Sequence, residues 1–155
     1  MALPTDIRTL FAELPQARAD RTARAEEQRL AQDALRAELQ VAWDWLLGDG
    51  QELAAELRTA NFNRLELLGP LDEEGREGPW QIGCRALVLL DDGQLEVLRQ
   101  DDSRALRYLV HTADEMLQVE PAGVTRAFVT AVRTGAIWRR VAEQLRASTA
   151  APVDD

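Results

Sequence analysis

Three kinds of side chain in this sequence could carry chemistry. His111 is the single histidine, and histidine alone titrates unperturbed near neutral pH. A histidine working in acid–base or nucleophilic catalysis needs a nucleophile or an orienting carboxylate beside it. Thr112, Asp114 and Glu115 follow it in sequence, which allows a small enzyme built on His111. The alternative is a histidine at a strand end beside a loop. Cys84 is the single cysteine, in apparent alternation with Ile82 and Ala86 on an apolar face, where a thiol behaves as a small hydrophobe. Activating it would take a cationic neighbour, and Arg85 points to the opposite face of a strand. The acidic groups Asp72-Glu73-Glu74, Asp91-Asp92, Asp101-Asp102 and Asp114-Glu115 could offer oxygen ligands to a hard cation, but none has the twelve-residue EF-hand spacing. They read more simply as solvated turns.

Other motifs are missing from the sequence. Gly48-x-Gly50 lacks the third glycine and preceding strand of a phosphate-binding loop, and neither G-x-S-x-G nor H-E-x-x-H occurs. One cysteine closes no intramolecular disulfide, and with one histidine it makes no structural zinc site alone. The residues therefore predict no catalytic centre, no cofactor and no metal.

Charge points the same way. The 155 residues carry 18 basic side chains, all arginine, against 27 acidic ones, a formal net charge of −9. A nonspecific nucleic-acid binder needs a basic field, so direct nucleic-acid binding is not expected. An accessory role in DNA repair or stress response, acting through a protein partner, stays open. Arginine used to the exclusion of lysine, with abundant alanine and leucine, suggests a GC-rich bacterial genome. The longest apolar run, Ala86 to Leu90, is far too short to span a bilayer. Met1 to Arg8 lacks the basic-then-apolar pattern of a secretory signal, so a cytoplasmic protein is expected.

The elements that must position these residues follow from periodicity. Ile7, Leu10, Phe11 and Leu14 share a face of a short helix that Pro15 is expected to end. Gln16 to Leu47 has no Gly or Pro and reads as one long helix, polar in its first half. Its second half is amphipathic through Leu35, Leu39, Ala42, Trp43 and Leu46. Gly48-Asp49-Gly50 interrupts it before a second helix, Gln51 to about Ala60. Arg64 to Leu68 reads as a strand, Pro70 to Pro79 as a loop, and Trp80 to Leu90 as an alternating strand. Asp91-Asp92-Gly93 is a strong hairpin turn returning into Gln94 to Gln100. Asp101 to Glu120 fits either strand or helix; the β-formers Tyr108, Leu109 and Val110 favour a strand from Arg104, then a last strand from Glu115. Pro121 opens a closing helix to about Ala147, with Val124, Phe128, Ala131, Trp138, Ala142 and Leu145 inward and Gly135 a possible kink.

The expectation is an α+β fold: N-terminal helices, an antiparallel sheet of four to five strands and a long C-terminal helix. The division is an N-terminal arm over 1–15, a single domain over 16–147 and a disordered tail over 148–155. One sheet face or edge is left to cover, which predicts a homodimer. Four tryptophans stand among eight aromatics. Trp43 and Trp138 fall at core spacing. Trp45, off the Trp43 face, with Phe62 and Trp80, makes the candidate surface for a protein partner.

The stretch Leu89 to Leu98, reading Leu-Leu-Asp-Asp-Gly-Gln-Leu-Glu-Val-Leu, and Gly123-Val-Thr opening a helix with Phe128, Trp138 and Leu145, resemble the YbjN and type III secretion chaperone-like superfamily. Leu57 to Asn61 resembles the end of that family's first helix. The similarity covers about Leu53 to Leu145; the Arg/Glu helix before Leu30 departs from the pattern. It implies a small acidic α+β protein, usually homodimeric and without catalytic residues, that binds a segment of another protein along sheet and helices. The function expected is thus a noncatalytic chaperone-like or adaptor protein.

Overall fold

A computed structural model describes residues 2–120 and 122–150. The chain divides into two compact units at the boundary between Leu35 and Arg36. Helix α1 (Thr5–Leu47) crosses that boundary without interruption. Pro15 lies inside it and does not end it. A mid-helix proline removes one backbone donor and costs about 3 kcal/mol. The alanine-, arginine- and glutamate-rich sequence that follows carries the helix on. From Thr5 to Ala34 the helix is exposed apart from a half-buried Ile7. Its side chains pair along the helix: Arg29 with Glu26 at 2.5 Å and with Asp33 at 3.4 Å, and Gln16 with Asp20 at 2.9 Å.

The second unit is the mixed α+β body. The end of α1 contributes Leu39, Ala42, Trp43 and Leu46 to the core. Gly48 separates it from α2 (Asp49–Thr59), which buries Ala54 and Leu57. Four strands follow in chain order, β1 (Arg64–Leu71), β2 (Arg85–Leu90), β3 (Leu95–Gln100) and β4 (Ala105–Val110), all antiparallel, in the order β1-β2-β3-β4. The register sets Leu65 beside Leu89, Leu89 beside Leu95, and Leu95 beside Val110. Side chains alternate across a strand, so this row shares one face, and all four are buried. The turn at Asp91-Asp92-Gly93 forms as expected: Gly93 has φ +90°, and Asp92 Oδ1 accepts from the Gln94 N–H at 3.0 Å.

Helices α3 (Ala113–Val119), α4 (Ala122–Thr134) and α5 (Ala136–Ala150) complete the body. Phe128, Met116 and Ile137 lie in the core with no exposed surface. α4 and α5 both contact β1, and α3 contacts β4.

Four further local expectations are corrected. The strand expected from Glu115 is helix α3. Thr112, extended at φ −137°, accepts the Glu115 N–H on its hydroxyl at 3.1 Å and starts the helix. The strand expected from Trp80 begins only at Arg85, because Gly83 at φ +89° turns the chain; Trp80 and Ile82 are exposed before it. The closing helix is two helices, since Gly135 at φ +78° resets the helical phase. Ile137 and Val141 therefore face the core, while Trp138 is 44% and Leu145 38% exposed. Helix α5 runs to Ala150, so residues 148–150 are helical. The expectations for Pro121 and for 151–155 lie outside the described residues.

Candidate functional site

Three aromatic side chains, one each from α1, α4 and α5, stack edge-on. Trp45, half-buried, packs edge-on against Phe128 at 6.4 Å and against Trp138 at 5.5 Å between ring centroids. The Trp45 Nε1–H is buried without a hydrogen-bond partner among the described residues. Trp138 carries this ladder to the surface and forms one wall of a groove of about 440 Å³ against α2. Leu53 and Ala55 line it, with Asp49, Glu52 and Glu56. These carboxylates are exposed at helical spacing and have no ion-pair or hydrogen-bond partner among the described residues. An open groove with an aromatic wall and an acidic rim can hold a cationic or amphipathic segment.

A second groove, of about 390 Å³, lies between the loop after β1 and helices α4 and α5. Leu68, Leu71, Arg126, Thr130 and Arg140 line it. Arg140 is committed to the fold: it pairs with Glu66 at 2.5 Å and donates to the Gly69 carbonyl. The groove exists because two glycines meet at its edge. A Cβ on Gly123 would lie 2.5 Å from the Glu73 carbonyl oxygen, so the loop closes on α4 only with glycine there.

The most perturbed titratable groups sit under the sheet. Arg85 on β2 and Glu120 after α3 are buried and face each other at 3.4 Å. Arg85 also donates to the Gly83 carbonyl at 2.8 Å, and the Tyr108 hydroxyl donates to Glu120. Burial raises the Glu120 carboxyl above its ordinary value, while the Tyr108 hydrogen bond, Arg85 and Arg99 pull it down. Burial, and then the bond to Glu120, push the Tyr108 phenol well above its usual value. Each charge is occupied by another part of the chain, as in a structural ion pair.

The sequence-derived candidates fall into place separately. His111 is exposed, and its neighbours are used elsewhere: Asp114 pairs with Arg36 at 3.0 Å, Thr112 caps α3, and Glu115 accepts the His111 backbone N–H at 3.4 Å. Among the described residues, no carboxylate is hydrogen-bonded or ion-paired to the imidazole. Cys84 is buried, its thiol 3.5 Å from the Pro79 carbonyl. Among the described residues, no three His, Cys, Asp or Glu side chains gather closely enough to hold a metal ion, and no helix is long and apolar enough to cross a membrane. Of the three expected partner contacts, Trp80 is 45% exposed, Phe62 is half-buried against the core and Trp45 lies behind Trp138. Among the described residues no ring contact joins the three. Trp138, like Leu145, is expected in the core and lies at the surface. Its signal was Gly135, three residues earlier.

Comparison with known proteins gives no match to a family model, to a curated protein or to a solved structure.

Proposed function

We propose that this chain is a noncatalytic, cytosolic adaptor or chaperone-like protein that acts as a homodimer and binds a segment of another protein. The observation that carries this reading is the surface of the body. Trp138 and Trp80 are exposed, and the groove beside Trp138 carries three carboxylates without an ion-pair or hydrogen-bond partner among the described residues. Large aromatics at a surface are the residue type that anchors protein interfaces. The order of helices, antiparallel meander and helices agrees with the resemblance to the YbjN and type III secretion chaperone-like superfamily. Trp80, with Phe62 and Trp45 presenting less surface, supplies contacts for the bound segment.

Light scattering on the purified chain should give twice the monomer mass at micromolar concentration; a monomer there overturns the dimer. Cross-linking in the native cell should capture a partner protein, and Trp80→Ala should weaken its capture several-fold. Undiminished capture removes Trp80 from the surface.

A further inference from the structure

The groove between α2 and α5 and the exposed first part of α1 complement one another in chemistry. Ile7, Phe11, Leu14, Arg18 and Arg21 step by four, three, four and three residues, so they form one stripe on the helix. Phe11 is 63% and Leu14 37% exposed. Arg18 and Arg21 make no ion pair or side-chain hydrogen bond among the described residues. The stripe is thus apolar at one end and cationic at the other. The groove offers the reverse set: an aromatic wall at Trp138, the side chain of Leu53, and the unpaired carboxylates of Asp49, Glu52 and Glu56 on one ridge of α2.

Dimensions agree. From Phe11 to Arg21 the stripe runs roughly 15 Å and the eleven residues of α2 roughly 16 Å, at about 1.5 Å per residue. A solvated helix without tertiary cover is only marginally stable, so a partner surface would contribute directly to holding the arm helical.

We propose that this groove receives the first part of α1, residues 7–21 (here the arm), of a second copy of the chain. The contact is reciprocal across a two-fold axis: each copy's arm lies on the other's α2. Phe11 and Leu14 pack towards Trp138 and Leu53, and Arg18 and Arg21 meet Glu52 and Glu56. The proposal rests on the homodimer reading and assigns its interface.

Charge reversal tests it on the full-length chain. One variant carries Arg18→Glu with Arg21→Glu, the other Glu52→Arg with Glu56→Arg. All four positions are exposed, and far-UV circular dichroism checks that each variant remains folded. By sedimentation velocity each variant alone should self-associate at least about tenfold more weakly than the wild type, since both of its reciprocal contacts become repulsive. Mixed in equal amounts they should form a heterodimer close to wild-type strength, because acidic arm meets basic groove and basic arm meets acidic groove. A dimeric wild type whose variants dimerise equally well, or whose variants do not recover on mixing, overturns this interface and leaves the homodimer standing. A wild type that is monomeric at micromolar concentration overturns both.

Discussion

The two units use the same residue types to opposite ends. Up to Leu35, arginines and acids pair with neighbours one turn away on an exposed helix, as Arg29 does with Glu26 and Asp33. In the body Arg76 pairs locally with Glu74, but other pairs join elements far apart in sequence: Arg36 with Asp114, Arg64 with Glu96, Arg140 with Glu66, and Arg85 with Glu120. A pair within a helix does not depend on any fold beyond that helix. A pair between elements forms only when those elements are docked. The difference teaches that ion pairs follow the helix in the first unit, and tie separate elements together in the second.

Substitutions can break this contrast. The largest loss is expected in the core of the body, where Phe128 is fully buried: Phe128→Ala should cost about 3–5 kcal/mol by denaturant unfolding. Arg85→Ala should approach it, at about 3–5 kcal/mol, because it leaves Glu120 buried and unpaired. A loss near zero would mean that water reaches the pair. Gly123→Ala should cost about 1–3 kcal/mol, since the new methyl meets the backbone of Glu73 and Glu74.

A smaller effect concerns pH. Burial raises Glu120, so folding favours its neutral form. That contribution is complete below the ordinary carboxylate value and is lost as pH rises through the raised value in the fold. The Tm of Glu120→Gln minus that of the wild type should therefore become more positive between about pH 4 and pH 7. A difference that stays flat would sink the assignment. Smallest of all, Arg29→Ala should leave the Tm of the body unchanged within error, because its partners lie on the same exposed helix.

What the sequence made legible was what is local. Asp92-Gly93 dictates a tight turn regardless of its surroundings, and the hairpin formed where expected. Helix α3 was equally local, written as Thr112-x-x-Glu115, but the β-formers just before it drew the reading towards strands. Trp138 shows a different limit. The apolar stripe of α4 continues at helical spacing through Gly135 into α5, yet one residue at positive φ rotates everything after it. Periodicity carries no information across such a break. The groove beside Trp138 was illegible for the same reason, since its two walls belong to α2 and to a helix whose phase the sequence did not reveal.

The strand order has a consequence in time. In the sheet β1-β2-β3-β4 every strand pairs with its successor in the chain, so no pairing waits for a crossover. Rates of folding rise as contacting residues lie nearer in sequence. The meander should therefore assemble early, from the Asp92-Gly93 turn outwards, and the late event should be the return of α4 and α5 to β1. The surfaces that α5 carries, Trp138 among them, are then the last part of the body to acquire their final form.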